Sequence, residues 1–275
     1  MRKIRISKVL TTLALAVFAV FCIYPVVWVF ISSFKTNSEL FVNTWGLPRA
    51  FTLENYVNAV VEARIDRAML NSTIITLSAV SINVAVGAMA AYAVTRMIWK
   101  QAKLVKALFI LGMMLPTYAA IVPLFSMFNT MRLNNTFFAV IIANVAFGLP
   151  MTVFILSGFF STVPRELEEA AIIDGCGLLR IFFGVITPIS VSSLVTVAVI
   201  SFLNIWNDLL FPQIFLSSRD NMPLPVVLTM FKDDFSTDYV GLIASVVVTL
   251  VPTVVVYMIL HARIIDGMTA GAVKG

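Results

Sequence analysis

The chain has 275 residues, of which 60% are hydrophobic and 12% are charged, and its formal net charge is +5 at pH 7. A soluble core of this length cannot bury so large an apolar fraction, so the composition excludes an ordinary soluble domain and indicates a polytopic membrane protein. The phosphate-binding pattern G-x-x-x-x-G-K-[ST] does not occur, which excludes ATP binding by that route. Cys22 and Cys176 lie at different expected depths and predict neither a disulfide nor a metal site.

Six long runs of the sequence contain no Asp, Glu, Lys or Arg. They are residues 9–34, 68–95, 107–131, 133–164, 181–207 and 239–262. Each exceeds the roughly 20 residues that a helix needs to cross a bilayer. Because lipid offers no hydrogen-bond partner to the backbone, the runs predict helices and not strands. We therefore expect an all-α integral membrane protein with six transmembrane helices.

The chain starts with a basic segment, residues 1–8, that resembles the beginning of a signal peptide. No convincing cleavage site follows, and the apolar run is too long for a signal peptide, so we expect a retained first span. We interpret residues 1–275 as one membrane domain. Residues 1–67 would hold the first span and an external loop, residues 68–262 the core with spans two to six, and residues 263–275 a C-terminal tail.

The distribution of basic residues predicts the orientation, because Lys and Arg are enriched in cytoplasmic loops. With the N-terminus in the cytoplasm, the cytoplasmic segments carry most of the 19 basic residues and a minority of the 14 acidic ones. The clearest contribution comes from Arg96, Lys100, Lys103 and Lys106 in one short loop. Both termini, the tail included, and the loop formed by residues 164–188 are therefore expected in the cytoplasm.

Small residues and prolines stand within the predicted spans. The second span contains Gly87, Ala88, Ala90 and Ala91, which allow close approach of a neighbouring helix. Each proline removes a backbone donor and favours a kink. The prolines are Pro25, Pro116, Pro123, Pro150 and Pro252. Kinks suit a protein that rearranges, but proline is common in membrane helices generally, so no single one is assigned a gating role.

Two polar segments are expected outside the membrane. Residues 53–66 are equally consistent with a short amphipathic helix along the outer surface and with an ordinary loop, and Trp45 and Tyr56 suit the membrane interface. Residues 213–238 are long and polar enough to contact an external partner protein, or are simply solvated.

The cytoplasmic loop concentrates acidic residues in a chain that is otherwise nearly free of charge. We predict a helix from Pro164 to Asp174, because proline suits the first helical position and Glu166 places negative charge in the first turn. Gly175 can end this helix in a left-handed cap conformation.

A second helix is predicted after a bend at Gly177, over residues 178–187, with Pro188 interrupting or kinking it. The loop is therefore predicted to form a helix, a turn and a second helix outside the bilayer core.

The order of residues in this loop is specific. It runs Glu169-Ala170-Ala171, three residues, Gly175, nine residues, and then Val185-Ile186-Thr187-Pro188. A loop that only joins two spans would need no such order. The spacing resembles the EAA loop of ATP-binding-cassette (ABC) importer permeases, whose pattern is Glu-Ala-Ala, three residues, Gly, nine residues and Ile-x-Leu-Pro. Val185 and Thr187 depart from that pattern.

The end of the fifth span carries a second candidate site, formed by Asn204, Trp206, Asn207 and Asp208. Polar groups at membrane depth are costly and tend to face a bundle interior or a wet cavity. Asn204 and Asp208 are four residues apart, which predicts one shared helical face. Amides, a carboxylate and an aromatic ring suit a hydroxyl-rich ligand on a translocation path. An interfacial tryptophan belt with a helix-ending Asn-Asp pair is the alternative.

The last residues, 267–275, supply a third match together with the loop and the end of the fifth span. They read Gly-Met-Thr-Ala-Gly-Ala-Val-Lys-Gly. With Met268 in place of the usual leucine, they resemble the C-terminus of the six-span permease subunits of carbohydrate importers, the subunits similar to the second maltose permease. The resemblance to these subunits extends over nearly the whole chain.

This resemblance implies a type I ABC importer permease fold in the cytoplasmic (inner) membrane of a bacterium or archaeon, with both termini in the cytoplasm. It implies a complex with a second permease subunit, two ATP-binding subunits and an external solute-binding protein, and with no nucleic acid. ATP and Mg would be bound and used by the partner subunits. This chain would bind no cofactor or metal and would be a transport subunit, not an enzyme.

The resemblance also implies roles for particular residues. The cytoplasmic loop would dock into an ATP-binding subunit as a coupling helix through Glu166, Glu169, Ala170, Ala171, Asp174 and Gly175. The tail would contact the ATP-binding subunits through Gly267, Thr269, Gly271 and Lys274. The outer loop, residues 213–238, would reach the solute-binding protein.

A sugar or oligosaccharide is the solute that the resemblance favours. A sugar phosphate or glycerol-phosphate-type solute carried on the same architecture is an alternative. An ion-driven secondary transporter would require ionisable residues at mid-membrane and would often contain internal repeats, and neither feature occurs in this sequence. A membrane-embedded enzyme would require clustered His, Asp or Glu within the spans. A structural scaffold would leave the residue spacing of the loop unexplained.

Overall fold

The computed structural model describes residues 3–61, 63–231 and 238–272. For residues 3–7 and 261–272 it describes the backbone only. The described residues contain no strand and are mostly helical. In chain order the helices are α1 (Lys3–Ser32), α2 (Asn37–Val42), α3 (Glu54–Val61), α4 (Ile65–Thr95), α5 (Ala102–Gly112), α6 (Thr117–Thr130), α7 (Phe137–Phe160), α8 (Glu166–Ile173), α9 (Leu178–Ile181), α10 (Thr187–Ile189), α11 (Val191–Trp206), α12 (Leu210–Phe215), α13 (Leu224–Thr229) and α14 (Tyr239–Ala272). A π-helical turn, Phe182–Ile186, joins α9 to α10.

Four single helices are long and apolar enough to cross a membrane: α1, α4, α7 and α14. Two further spans are bent. The pair α5 and α6 is bent by 102°, and the segment Leu178–Ile189 is bent by 80° against α11. Six spans result when each bent pair counts as one. Both bends fall within the runs 107–131 and 181–207, close to Pro116 and Pro188, where a kink or a break was expected.

Proline explains the first bend and lies close to the second. Pro116 has extended backbone angles and directly precedes α6, where its missing N–H and its ring prevent continuation of α5. Pro188 follows the π-helical turn and lies in the short helix α10. The chain then turns at Ser190, two residues beyond the predicted break.

The described residues divide into two compact units, Met1–Asp66 with Val227–Val251 and Arg67–Val226 with Pro252–Gly275. In the first unit, hydrogen bonds of Lys35 fix the segment that follows α1. Buried Lys35 donates from Nζ to the carbonyls of Asn43 and Thr44 at 2.7 and 3.1 Å, at the C-terminal end of α2. A cation at this end of a helix is favoured by the exposed carbonyls. Of the two possibilities for residues 53–66, the structure shows a helix at Glu54–Val61.

Helix α7 is the centre of the second unit and buries twelve of its residues. It packs against α5, α11 and α12. Two apolar clusters lie along it. One surrounds Ala91, Leu156, Phe160 and Ile186, and the other surrounds Phe128, Val140 and Phe215.

The small residues of the second span serve close packing, as predicted. A Cβ placed on Gly87 of α4 would lie 2.2 Å from Cγ2 of Thr152 on α7. Ala88 and Ala91 are buried in the same region. The helices approach each other here because no side chain separates them.

We expect Gly87→Ala to destabilise the protein by about 1–3 kcal/mol, because buried Thr152 has a short, stiff side chain that must move. Thermal unfolding of the purified chain in detergent measures this. Gly158→Ala on α7 is the matched control, since its added methyl meets no atom within 4 Å. A helix interior favours alanine over glycine, so this control should be neutral or stabilising. Equal effects of the two changes would contradict the packing argument.

Candidate functional site

The loop formed by residues 164–188 folds as the sequence predicts, with a shorter first helix. Helix α8 begins at Glu166 instead of Pro164 and ends at Ile173, followed by Asp174. Gly175 has φ +78°, the left-handed conformation expected of it. The N–H of Gly175 bonds to the carbonyl of Ile172, and the N–H of Cys176 to that of Ala171, both at 2.9 Å. This pair of bonds is a Schellman motif, which satisfies the last carbonyls of the helix.

Arg96, the first residue after α4, holds this loop in place. Its guanidinium donates to Oε2 of Glu168 from Nε at 2.9 Å and from Nη2 at 2.6 Å. It also donates to the carbonyls of Phe160 and Val163, where α7 ends, at 3.2 and 2.8 Å. The side chains of Arg96 and Glu168 are only 4% and 13% exposed. One cation therefore joins the ends of α4 and α7 to the first turn of α8.

The outer side of α8 is left open. Glu169 and Ala170 are exposed, and Ile172 and Ile173 are 60% and 85% exposed. Ala171 is buried among the apolar side chains of the chain's own core. Of the two alanines expected to permit close docking, Ala170 is thus accessible, while Ala171 lets α8 pack on its own bundle. Glu166, Asp174 and Gly175 are exposed.

A cavity of about 260 Å³ lies within the helix bundle of the second unit. Its polar wall is formed by amides and hydroxyls from α4, α6, α7 and α11. They belong to Asn83, Thr117, Asn144, Thr152, Ser201 and Asn204. The remaining wall is apolar and includes Phe147 and Met151.

The structure separates the four residues predicted at the end of the fifth span. Asn204 lines the cavity, whereas Trp206 is buried and stacks on Phe202. Asn207 is exposed and donates to the carbonyl of Leu203 at 2.8 Å.

Asp208 lies beyond the end of α11, so the shared helical face expected for Asn204 and Asp208 was wrong. Its Oδ1 accepts the N–H groups of Leu210 and Phe211 at the start of α12, and its Oδ2 accepts Nδ2 of Asn144 at 2.9 Å. A carboxylate in this position caps the next helix instead of extending the previous one.

The tail is helical as far as it is described. Helix α14 continues through Gly267, Thr269 and Gly271 to Ala272, although the side chains of this part are not described. Lys274 lies outside the described residues.

Several residues of these sites escaped the sequence reasoning, among them Arg96, Asn83, Asn144 and Ser201. Arg96 was read only as one of four basic residues of a cytoplasmic loop. Asn83 and Asn144 could have been found as amides deep inside apolar runs, where a polar group calls for a partner.

The fold and the loop together define a polytopic membrane protein with a helix-turn-helix between two of its spans. Residues 83–269 match the family described as binding-protein-dependent transport system inner membrane component. The chain belongs to this family, and as a permease subunit it is not an enzyme.

Individual relatives agree with this assignment. The chain is 35% identical to the diacetylchitobiose uptake system permease protein NgcG of Streptomyces coelicolor, over 94% of this chain and 87% of that protein. It is 33% identical to the melibiose/raffinose/stachyose import permease protein MelC of Bacillus subtilis, over 98% of each. Its fold matches a chain of a bacterial ABC transporter involved in the import of the acidic polysaccharide alginate, with a TM-score of 0.81 at 20% identity, over 95% of this chain and 98% of that one. The predicted type I ABC importer permease fold is confirmed.

We expect Glu168→Gln to destabilise the protein by about 3 kcal/mol, because removal of one partner leaves the charge of Arg96 buried without a counter-ion. Glu166→Gln, an exposed change in the same turn, should stay within about 0.5 kcal/mol. Thermal unfolding in detergent compares the two. An unfolding midpoint in Glu168→Gln equal to that of the control would show that the ion pair does not hold the loop.

We expect Gly175→Ala to cost about 1–2 kcal/mol, because a side chain is strained at a positive φ even where space is free. Gly177→Ala is the control, since Gly177 has φ −76° and equally open surroundings. The same unfolding measurement applies, and a cost shared equally by both variants would rule out the left-handed cap as its cause.

Proposed function

We propose that this chain is the membrane-spanning permease subunit of an ATP-driven importer that receives a sugar or oligosaccharide from an external solute-binding protein. The family supports the transport role. Relatives named for diacetylchitobiose and for melibiose, raffinose and stachyose, aligned over nearly the full chain, support the solute class. ATP and Mg act in two partner subunits, and a second permease completes the pathway.

The proposed coupling rests on one observation. Helix α8 is held against its own bundle on one side, and its other side is exposed. Arg96 anchors its first turn, and the Schellman motif closes its end. The exposed surface combines the charge of Glu169 with the apolar side chains of Ile172 and Ile173. An acidic group with adjacent apolar area suits a basic and apolar cleft on an ATP-binding subunit.

Movement of α8 would reach the cavity through two connections. The first runs through Arg96 into α4, which carries Asn83. The second runs along the chain through the π-helical turn and the bend at Ser190 into α11, which carries Ser201 and Asn204. Closure of the ATP-binding subunits would therefore move two walls of the cavity together, as alternation between inward-open and outward-open states requires.

The outer loop is proposed to contact the solute-binding protein, and its described part is well anchored. Oδ1 of Asn135 accepts the N–H groups of Ser217 and Ser218 at 3.1 and 2.9 Å. Nδ2 of Asn71 donates to the carbonyls of Asp220 and Met222 at 2.9 and 3.0 Å. A surface held in one conformation loses little entropy on binding, which favours docking.

The orientation with both termini in the cytoplasm is part of this proposal and follows from the charge distribution. It places α8 on the same side as the end of α14. We propose that Gly267, Thr269, Gly271 and Lys274 also contact the ATP-binding subunits.

We expect Glu169→Lys to abolish solute-stimulated ATP hydrolysis in the assembled complex, because a like charge then faces the basic docking cleft. Glu169 is exposed, so folding should not change. Glu54→Lys, the same charge reversal in the first turn of the external helix α3, is the control.

The measurements are co-purification of the ATP-binding subunits and ATP hydrolysis with and without the loaded binding protein. Normal stimulation in Glu169→Lys would overturn the assignment of α8 as the coupling helix. A complex that recruits ATP-binding subunits yet responds to no carbohydrate would refute the solute class alone.

A further inference from the structure

We propose that the cavity inside this chain's own bundle binds part of an uncharged, hydroxyl-rich solute, with Asn204, Ser201 and Asn83 as residues that determine specificity. The proposal rests on the proposed function and makes the solute chemistry more specific. It excludes anionic sugars such as sugar phosphates and uronates from this cavity.

The lining is the first argument. Amide and hydroxyl groups on four helices converge on one space at a depth where polar groups are costly and tend to be functional. Amides and hydroxyls both donate and accept hydrogen bonds, as a sugar hydroxyl requires. The lining residues, all of them described, include no Asp, Glu, Lys, Arg or His.

An anion would be disfavoured here for two reasons. It would lose its hydration without gaining a counter-charge, which costs far more than the transfer of a hydroxyl. It would also lie close to Asp208, which sits behind Asn144 and is linked to it by a hydrogen bond of 2.9 Å. Like charges at short range repel strongly in an apolar environment.

Asn83 gives the second argument. Its side chain lines the cavity and is only 1% exposed. Nδ2 lies 3.4 Å from Oγ of Ser201, a long hydrogen bond, and Oδ1 has no hydrogen-bond partner among the described residues. An unpaired buried acceptor costs about 1–3 kcal/mol, so a native site keeps one for a reason. A small rotation of the Asn83 amide would offer this acceptor to a solute hydroxyl.

The size and the apolar wall give the third argument. A cavity of about 260 Å³ is slightly smaller than typical ligand pockets of roughly 300–1,000 Å³. It therefore suits a single sugar ring and not a whole oligosaccharide. Phe147 and Met151 provide apolar area for the C–H faces of such a ring. A longer solute would pass through this space one ring at a time.

The first experiment measures uptake by the complete complex in proteoliposomes with the cognate binding protein and its neutral sugar. We expect Asn204→Ala to lower the uptake rate about fivefold, the effect of one lost hydrogen bond. The affinity of the binding protein should not change. Ser201→Ala should act in the same direction. Asn207→Ala, an exposed asparagine three residues further that lies off the cavity, should import at the unaltered rate.

The second experiment measures binding directly and does not depend on transport. Asn204→Cys is introduced after Cys22 and Cys176 have been replaced by alanine, and its reaction with a methanethiosulfonate reagent is followed. We expect melibiose to slow labelling of Asn204→Cys and glucuronate at the same concentration to leave it unchanged. Asn207→Cys should be labelled at one rate in all conditions.

The outcomes separate the two proposals. Uptake by Asn204→Ala and Ser201→Ala equal to that of Asn207→Ala would overturn the cavity as a solute site and leave the importer intact. Equal protection by melibiose and glucuronate would overturn its preference for neutral solutes. Absence of carbohydrate uptake by the unaltered complex, with sugar-loaded binding protein present, would instead refute the proposed function.

Discussion

The buried ion pair between Arg96 and Glu168 is the contact on which the loop of residues 164–188 depends. Helix α8 has eight residues and could not remain helical alone in water. Arg96 binds its first turn, and the same guanidinium takes up free carbonyls at the end of α7. Because both charges are removed from water, their separation is costly, and the pair holds α8 against the ends of α4 and α7.

The demand that a backbone in lipid satisfy its own hydrogen bonds shapes the rest of the bundle. Unbroken helices meet this demand most simply, and α1, α4, α7 and α14 do so. The two bent helix pairs depart from it at Pro116 and at Ser190, and both breaks lie in the second unit, which also holds the cavity. The bends turn α6 and α11 so that Thr117 and Asn204 face this common space.

Helices α4 and α11 connect the two candidate sites. Each carries polar residues that line the cavity, and each is joined to the loop of residues 164–188, α4 through Arg96 and α11 through the π-helical turn. A π-helical turn is wider and less regular than an α-helix and often marks a site of functional adjustment. In the proposed mechanism, these two connections would carry a movement of α8 to the walls of the cavity.

The sequence by itself determined the features that arise within one segment. The lengths of the uncharged runs predicted a membrane protein, Gly175 predicted the left-handed helix cap, and the spacing from Glu169 to Pro188 predicted the family. Each of these features depends on residues that are near one another in the chain. Only the tertiary structure decided which distant residues meet. Arg96 pairs with Glu168 across 72 positions, and Asn83 meets Ser201 across 118. The tertiary structure also decided that Ala171 faces inward and that Asp208 caps α12. Both outcomes depend on how neighbouring helices pack, and the pattern of residues within one helix does not specify the helix that will pack against it.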